Sequence, residues 1–378
     1  MYLGFNTTGN SQTSRRTTNA ISLGKLRNTS GSITRKFKYC NRNSPDLNFT
    51  FKCVFDIPMQ TIISGQYQIA VGNNAFSISR DYGINWQILS QFAALSLRSV
   101  AISNNGQYIL TGGNGTPLFY SNDNGKTFIQ KFPADPGNGW FSISMSRSGQ
   151  YQTAIGPTVL SGGEIYVSND YGNTFNIILQ PIVGSIQSYL TMSYDGKYQS
   201  ITSGNSIFIS NNYGQNWTQN NLSGITNPPS SLYGITMSGN GQIQYAVDEG
   251  FPAYLYKSTN YGITWNNTYT IPESGTLYFI STSETGQYVL IPNYNGSIWI
   301  SNNYGNSFTK NINIDGQPQS SFGFKSWYPC GVSASGKYQT ACDNASNGYI
   351  YTSSDYGKNW YSRLNGGQSA WWGFFMNL

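Results

Sequence analysis

The stretch SNDYGNTF at residues 168–175 decides the fold, because close variants of it occur seven times along the chain. All copies fit Ser-x-[Asp/Asn]-x-Gly-x-[Thr/Asn/Ser]-[Trp/Phe], and their third positions lie 42 to 52 residues apart. Those third positions are Asp81, Asp123, Asp170, Asn212, Asn260, Asn303 and Asp355. A repeat of this length is typical of solenoid arrays and of β-propellers.

The motif predicts a tight turn between two β-strands. The Asp or Asn side chain would accept hydrogen bonds from backbone N–H groups, the glycine would adopt a positive φ, and the final aromatic ring would be buried under the hairpin. Three of the seven copies carry Asn, which keeps the acceptor oxygen and loses the charge. A catalytic or metal-binding carboxylate would not survive that exchange, so we predict a structural role.

A second signature, Gly-[Gln/Lys]-Tyr, lies 16 to 21 residues before the third position of each motif. It starts at Gly65, Gly106, Gly149, Gly196, Gly286 and Gly336, with a weaker copy at Gly241. Each unit therefore predicts four strands, which in the third unit are Phe141–Ser146, Tyr151–Ile155, Glu164–Ser168 and Thr174–Leu179. Seven such units predict an all-β fold, a seven-bladed β-propeller of four-stranded antiparallel blades.

The two ends of the repeat region are complementary. Residues 372–377 resemble Phe141–Ser146 and Tyr233–Ser238, which are first strands of their units, although no further unit follows them. We therefore expect the C-terminal strand to become the innermost strand of the first blade and to close the ring. An open solenoid would gain nothing from this arrangement. A competing assignment makes Asp56–Ser64 the missing first strand.

Charge divides the chain into an arm, residues 1–57, and a body, residues 58–378. The arm carries a net charge of +7, whereas the body carries −1. The arm's basic residues include Arg15, Arg16, Lys25, Arg27, Arg35, Lys36, Lys38 and Arg42. Few aromatic residues lie among them, so nucleic acid is an unfavoured partner, and we expect the arm to bind a protein partner in a larger assembly. A solvated tail is the alternative.

Neither a secretory signal nor a stretch long and apolar enough to span a membrane is visible in the sequence. We therefore expect a virion or intracellular location and no Sec-dependent secretion. A bias toward Asn, Ile, Tyr and Phe suggests an AT-rich genome, which favours a large virus or phage particle. Cys330 and Cys342 lie symmetrically about Gly336 and are expected to face each other, where reduced thiols are favoured over a disulfide. The state of Cys40 and Cys53 stays open.

The repeats resemble the Asp-box, or BNR, repeats of sialidases, sortilin-like receptors, some glycan hydrolases and photosystem assembly factors. The resemblance covers about residues 58–378 and implies boxes that are structural turns, far from any active site. Sialidases of this family bind the substrate carboxylate with three arginines. The body here has only Arg80, Arg98, Arg147 and Arg363, and all but Arg98 are expected away from that pocket. Sialidase activity is therefore not expected.

The face opposite the boxes is the place to look for a ligand. It is expected to display Asp135, Glu164, Asp248, Glu249, Glu273, Asp315 and Asp343, of which Asp248 and Glu249 form the densest carboxylate pair. Aromatic residues near the start of innermost strands, Phe141, Tyr233, Tyr278, Tyr328 and Trp372, would ring the channel mouth. They would either stack on sugars or, as we favour, pack against one another.

The chain has no His, no cysteine in a nucleophile context and no phosphate-binding glycine loop, so we expect no metal and no cofactor. The sequence therefore favours a non-enzymatic structural or interaction propeller that is anchored through its basic arm. A glycan-binding or glycan-hydrolysing propeller is the alternative. A third hypothesis is an assembly factor for a membrane complex.

Overall fold

The computed structural model describes residues 65–133, 139–156, 163–182, 188–222, 224–311, 313–318 and 325–377, together with short strands nearer the N-terminus. Those strands pair Leu26–Arg27 with Ile33–Thr34 and Phe37–Lys38 with Thr50–Phe51. The chain divides into two units, Met1–Thr61 and Ile62–Leu378. Of the basic arm residues, Arg27 and Lys38 lie in short strands whose side chains are not described. Arg15, Arg16, Lys25, Arg35, Lys36 and Arg42 lie outside the described residues.

In the part of the chain that the structure describes, seven antiparallel sheets each contain four consecutive propeller strands. We call these sheets blades 1 to 7 and their strands A to D, from the innermost to the outermost. In blade 1 the strands A to D are Trp371–Met376, Gln68–Gly72, Ala75–Ser79 and Gln87–Ile88, and in blade 2 they are Leu97–Ile102, Ile109–Gly113, Leu118–Ser121 and Ile129–Phe132. In blade 3 they are Ser142–Met145, Gln152–Ile155, Gly163–Ser168 and Asn176–Ile182, and in blade 4 they are Tyr189–Met192, Gln199–Ser203, Ser206–Ser210 and Thr218–Asn221.

In blades 5 to 7 the strands A to D are Leu232–Met237, Gln244–Asp248, Ala253–Ser258 and Asn266–Ile271; Ser281–Thr282, Val289–Pro292, Ile298–Ser301 and Thr309–Lys310; Lys325–Val332, Gln339–Asp343, Ile350–Ser353 and Tyr361–Arg363. Tyr294–Gly296 adds a strand to blade 7, and a small hairpin joins Asn313–Ile314 to Gln317–Pro318. Two 3-10 turns, Ser90–Phe92 and Leu364–Gly366, follow the outer strands of blades 1 and 7. The predicted seven-bladed fold is confirmed.

The C-terminal strand closes the ring, as the repeat pattern predicts. Trp371 pairs with Gly72 and Met376 pairs with Gln68, which places the C-terminal strand innermost in blade 1. The Asn377 side chain secures this closure, because its Oδ1 accepts a 2.7 Å hydrogen bond from the Tyr67 N–H while its Nδ2 donates to the Asn104 carbonyl at 2.9 Å. The competing strand, Asp56–Ser64, lies outside the described residues.

Hydrophobic clusters between neighbouring blades form the core. Ile69 and Val71 of blade 1, for example, share a cluster with Leu97 and Val100 of blade 2, and all four side chains are at most 2% exposed. The innermost strands also contact one another around the whole ring. Burial of this apolar area stabilises each blade against its neighbours, so no blade has a complete core by itself.

The expected facing of Cys330 and Cys342 is wrong by one residue. The A–B turn of blade 7 is centred between Ser335 and Gly336, so Val332 pairs with Gln339 and Cys330 lies opposite Ala341. Cys330 therefore packs in a cluster with Trp327 and Val332, whereas Cys342 packs in a different cluster with Trp371. Both are free, buried thiols, and burial raises the pKa of each well above its usual value.

Candidate functional site

Each blade presents two ends to solvent, and the two ends differ in character. Because strands A to D alternate in direction, the A–B and C–D turns lie at one end, which we call the box face. The B–C and D–A connections lie at the other end, which we call the loop face. All seven boxes are therefore on the box face, and the predicted aromatic mouth is on the loop face.

The box at Ser168–Phe175 shows how the repeated turn is held. Ser168 Oγ accepts a 2.9 Å hydrogen bond from the Gly172 N–H and donates a 2.8 Å bond to Asp170 Oδ1. Asp170 Oδ1 also accepts from the Thr174 N–H at 2.9 Å. In an Asn-containing box, Asn212 Oδ1 accepts from the Asn216 N–H at 3.0 Å. The turn thus uses an acceptor oxygen, whether or not that oxygen carries charge.

The same bonds set the ionisation of the box carboxylates. Burial alone would raise the pKa of Asp123, but hydrogen bonds from Thr127, Ser121 and the Lys126 N–H outweigh it and lower that pKa to about 2. The pKa values of Asp81, Asp170 and Asp355 are lowered in the same way, by box hydrogen bonds that overcome desolvation. These carboxylates are ionised structural acceptors.

The structure brings the aromatic residues of the predicted mouth together on the loop face. The ring centres of Tyr233 and Tyr278 lie 5.1 Å apart, those of Tyr278 and Tyr328 lie 4.8 Å apart, and those of Tyr328 and Trp372 lie 5.4 Å apart. Most of these contacts are edge-to-face or tilted, so the rings pack on one another instead of presenting parallel flat faces. Phe141 joins the cluster through a cation–π contact with a positively charged side chain.

That cation is Arg98, which the interpretation of the sequence had not placed in the mouth. Its guanidinium carbon lies 5.7 Å from the Phe141 ring centre and 5.4 Å from that of Trp372. Its hydrogen bond to Asn114 Oδ1 is long, at 3.4 Å, and no described carboxylate lies within 4.0 Å of it. The sequence spacing could have placed Arg98 in the mouth, because Arg98 lies eight residues before Gly106, in register with the aromatic positions.

A second aromatic layer was also missed. Tyr189 and Phe279 fall one residue later than the predicted register, and their ring centres lie 5.1 Å apart. Phe279 also meets Tyr328 at 4.9 Å. Burial, and then the nearby Tyr328, raise the pKa of Tyr189 well above its usual value. We call the set Arg98, Phe141, Tyr189, Tyr233, Tyr278, Phe279, Tyr328 and Trp372 the aromatic mouth.

The neighbouring carboxylates Asp248 and Glu249 do not form a pair. Asp248 is 3% exposed and accepts hydrogen bonds from the Tyr254 N–H at 2.7 Å and from Tyr256 Oη at 3.0 Å. Burial raises its pKa, and these bonds only partly offset that effect. Glu249 is exposed and accepts from Tyr233 Oη at 2.7 Å. One carboxylate therefore supports a strand connection, and the other borders the aromatic mouth.

The remaining loop-face carboxylates that the structure describes also serve as acceptors. Glu273 accepts from the Ser297 N–H, Trp299 Nε1 and Lys310 Nζ, the last at 2.6 Å. Glu164 accepts a hydrogen bond from Tyr166 Oη, Asp315 accepts one from the Ser362 N–H, and Asp343 accepts one from Lys325 Nζ. Asp135 lies outside the described residues. No three described Cys, Asp or Glu residues form a cluster that could hold a metal ion.

The innermost strands enclose a channel cavity of about 150 Å³. Arg98 and Phe141 line its loop-face end, and Arg147 and Tyr194 line its box-face end. Arg147 there lies over the Tyr194 ring at 4.9 Å and meets Glu284 at 4.0 Å. Typical small-molecule sites have volumes of about 300 to 1,000 Å³, so the channel is narrow for a substrate.

A helix with the length and hydropathy of a membrane span is absent from the described residues.

The BNR-Asp box repeat family matches residues 350–362, which span the seventh box and its flanking strands. The chain is a seven-bladed β-propeller, and its seventh box matches this repeat family. No curated protein matches the sequence. Among solved structures, a functionally unknown protein from Desulfotomaculum acetoxidans aligns with a TM-score of 0.58 at 11% identity, covering 82% of this chain and 98% of that one.

Two further structures with the same propeller fold are of YCF48. YCF48 bound to D1 peptide aligns with a TM-score of 0.52 at 13% identity, covering 82% of this chain and 94% of that one. YCF48 from Cyanidioschyzon merolae aligns with a TM-score of 0.51 at 15% identity, covering 72% of this chain and 86% of that one. At these identities the similarity concerns the fold alone.

Proposed function

We propose that this chain is a non-enzymatic interaction propeller that binds a protein partner through its aromatic mouth. The observation that carries the proposal is the composition of that mouth, in which Tyr, Phe and Trp rings surround one arginine that lacks a described carboxylate partner. Tyr, Trp and Arg dominate the energetic centres of protein interfaces, and charged residues other than Arg are depleted there. Phe251, on the same face, is 74% exposed and extends the apolar surface.

The state of the loop-face carboxylates supports a binding role over hydrolysis. Glycoside hydrolysis needs two carboxyl groups about 5 to 10 Å apart, one of them ready to give a proton and the other to act as a base or nucleophile. Asp248 and Glu273 are instead engaged by several donors each, and Glu249 is bonded to Tyr233. Among the described residues, the carboxylates are used to hold loops and strands.

Two further observations support the partner class and the anchoring. YCF48, which shares the fold, has been captured with a peptide, so a peptide or protein partner is compatible with this scaffold. The net charge of +7 in residues 1–57 suits a segment that docks on an acidic surface of a larger assembly. We propose a virus particle as that assembly, on compositional grounds, with an intracellular complex as the alternative.

A glycan-binding role is the second candidate, because Phe141, Tyr278 and Trp372 keep part of their surface in solvent. Sugars bind to flat, accessible ring faces, whereas edge-to-face packing consumes those faces here. A glycan array and a fluorogenic glycoside screen distinguish this role. Turnover that disappears in Glu249→Gln would contradict the non-enzymatic proposal.

The proposal is tested by capture from the native source with the full-length chain and two variants. The double variant Arg98→Ala, Tyr278→Ala should retain the partner at least tenfold more weakly, since central aromatic and Arg side chains each contribute about 2 kcal/mol or more. Lys126→Ala, an exposed change on the box face, should retain it unchanged. Equal retention by all three proteins would contradict the proposal.

The anchoring is tested separately by deleting residues 1–57. We expect the shortened chain to give the same far-UV circular dichroism per residue in the propeller and to keep partner binding at the mouth, yet to be lost from the purified assembly. A shortened chain that still incorporates normally would remove the arm from the proposal. Co-purification with a membrane complex in place of a particle would identify the assembly-factor alternative.

A further inference from the structure

The box face carries a ladder of tyrosines that the turn itself does not require. In six of the seven boxes the residue before the glycine is a tyrosine with φ between 61° and 65°. A positive φ costs a side chain such as Tyr roughly 1 to 2 kcal/mol, and Asn adopts it more readily. Asn124, with φ of 64°, shows that the turn accepts Asn. The tyrosine must therefore be stabilised by a contact outside its own turn.

In five of the six tyrosine boxes, that contact is a tyrosine on the neighbouring blade. In five of the six Gly-[Gln/Lys]-Tyr sequences, the Tyr lies beside the box tyrosine of the next blade. The ring planes of these pairs meet at 25° to 34°, so three pairs are stacked and two are tilted. The pairs, with their ring-centre distances, are Tyr151–Tyr213 at 4.3 Å, Tyr198–Tyr261 at 4.4 Å, Tyr82–Tyr338 at 4.8 Å, Tyr288–Tyr356 at 5.0 Å and Tyr108–Tyr171 at 5.2 Å.

All ten of these rings are partly open to solvent, and Tyr171 and Tyr356 are 38% and 39% exposed. The ladder is interrupted at two blade interfaces. Between blades 1 and 2, Tyr67 faces the box that carries Asn124, and between blades 5 and 6, Ile243 takes the place of the partner of Tyr304. Neither of these positions forms a stacked tyrosine pair in the part of the chain that is described.

We propose that the five tyrosine pairs of the ladder are sites of oxidative dityrosine cross-linking between neighbouring blades. A one-electron oxidant, such as a haem peroxidase with hydrogen peroxide, removes one hydrogen atom from each phenol to give two tyrosyl radicals. The radicals couple through one ortho carbon of each ring, and the two ortho hydrogens move to the phenol oxygens as aromaticity is restored. Two tyrosines and one hydrogen peroxide thus give one dityrosine and two water molecules.

The geometry favours coupling within the molecule. The two rings of a pair are held near van der Waals distance by the blade interface, so a radical meets its partner without diffusion, in a step that is effectively unimolecular. The pair Tyr82–Tyr338 has a special position, because it joins blade 1 to blade 7 beside the strand that closes the ring. A cross-link there would restrain the unfolded chain as a disulfide across a long loop does.

The test treats the full-length chain with a haem peroxidase and hydrogen peroxide at low protein concentration. Dityrosine fluorescence should appear, and mass spectrometry of the digest should find peptide pairs that are two hydrogen atoms lighter than their sum, including Tyr151 with Tyr213. The melting temperature should rise by about 5 °C if cross-links act like disulfides. Tyr213→Phe keeps the stacked ring and should remove only its own cross-link.

The gaps in the ladder supply the converse test. Ile243→Tyr should give Tyr304 a partner and add a cross-link between blades 5 and 6, and Asn124→Tyr should do the same for Tyr67. In the unmodified chain Tyr67 and Tyr304 should be absent from the inter-blade products. Linked peptides that do not follow these changes, or products that are only intermolecular, would overturn the proposal. The outcome is independent of partner binding, because the aromatic mouth lies on the opposite face.

Discussion

The box face and the loop face are built from the same blades, yet only one of them is repetitive. On the box face, each Ser and each Asp or Asn makes the same hydrogen bonds in every blade, as the boxes of Asp81 and Asn303 show. On the loop face, the position eight residues before the A–B turn glycine holds Arg98 in blade 2 and an aromatic residue in blades 3, 5, 6 and 7. Repetition therefore marks the residues that build the fold, and departure from it marks the residues available for recognition.

The repeated box aspartates also differ from Asp248 of the loop face in their ionisation. On the box face, hydrogen bonds outweigh burial and lower the pKa of each box aspartate. On the loop face, burial dominates at Asp248 and raises its pKa, whereas at Glu273 hydrogen bonds from Lys310, Ser297 and Trp299 outweigh burial and lower the pKa. The first group stabilises the fold when it is ionised, whereas Asp248 is held at a cost in its ionised form. The box aspartates and Asp248 should thus respond to acid in opposite directions.

The largest effect is expected from a glycine on the box face. Gly336 has φ of +78°, and a Cβ at this position would lie 2.9 Å from the Tyr288 Cβ and closer still to its ring. Gly336→Ala adds backbone strain to overpacking between blades 6 and 7, so we expect a loss of about 3 kcal/mol in the free energy of unfolding. Urea denaturation measures it.

A matched control separates strain from packing. Gly204 also has a positive φ, of +59°, but no atom lies within 4 Å of the position that its Cβ would occupy. Gly204→Ala should therefore lose only the cost of strain, about 1 kcal/mol. Equal losses in the two variants would mean that the close contact of Gly336 with Tyr288 does not hold the blades together.

The box face was largely predictable because its information is local. Each turn lies within eight residues, so the motif alone predicts the hairpin, the glycine with positive φ and the bonded side chain. The similarity of residues 372–377 to other first strands likewise predicted the closed ring. The expected register of Cys330 and Cys342 failed, because the turn is centred between Ser335 and Gly336 and not on the glycine itself, as the pairing of Val332 with Gln339 shows.

The aromatic mouth was less predictable because it is assembled from all seven blades. Phe141, Tyr233 and Tyr278 were found by their register, which counts from a turn glycine. Arg98 shares that register but differs in residue type, and Tyr189 is displaced by one residue, so neither fits a pattern of repeated aromatics. Their proximity is a tertiary property, and only the closed ring brings residues 98 and 372 together.

A smaller effect is expected from the charge of one box. The pKa of Asp123 is about 2 in the folded chain, compared with about 3.9 when unfolded, so its contribution to stability is fully present above pH 4 and is lost as the pH falls toward 2. Asp123→Asn keeps the acceptor oxygen and should remove that part of the acid sensitivity. Unfolding by urea between pH 2 and pH 7 measures the change.

The converse substitution is available in the same fold. Asn303 occupies the equivalent position, where its Oδ1 accepts from the Ser307 N–H at 3.0 Å. Asn303→Asp should add stability at neutral pH and introduce a loss below pH 4. If Asp123→Asn and Asn303→Asp both leave the pH profile unchanged, then the hydrogen bonds of the box do not distinguish an ionised oxygen from a neutral one.

The smallest effect, and the one of opposite sign, is expected at Asp248. Its pKa is raised on folding, so the stability associated with its proton is present below the unfolded value of about 3.9 and is lost as the pH rises through the folded pKa. Asp248→Asn removes the buried charge and keeps an oxygen that can accept from the Tyr254 N–H. We expect the free energy of unfolding at pH 7 to stay within about 0.5 kcal/mol of the parent or to rise.

The comparison with Asp123→Asn makes this test informative, because the chemical change is identical and only the face differs. At pH 7, Asp123→Asn should lose stability, whereas Asp248→Asn should not. A loss of about 2 kcal/mol or more in Asp248→Asn would mean that the ionised carboxylate is needed by Tyr254 and Tyr256. The strand connection at Asp248 would then depend on its charge as the box turns do.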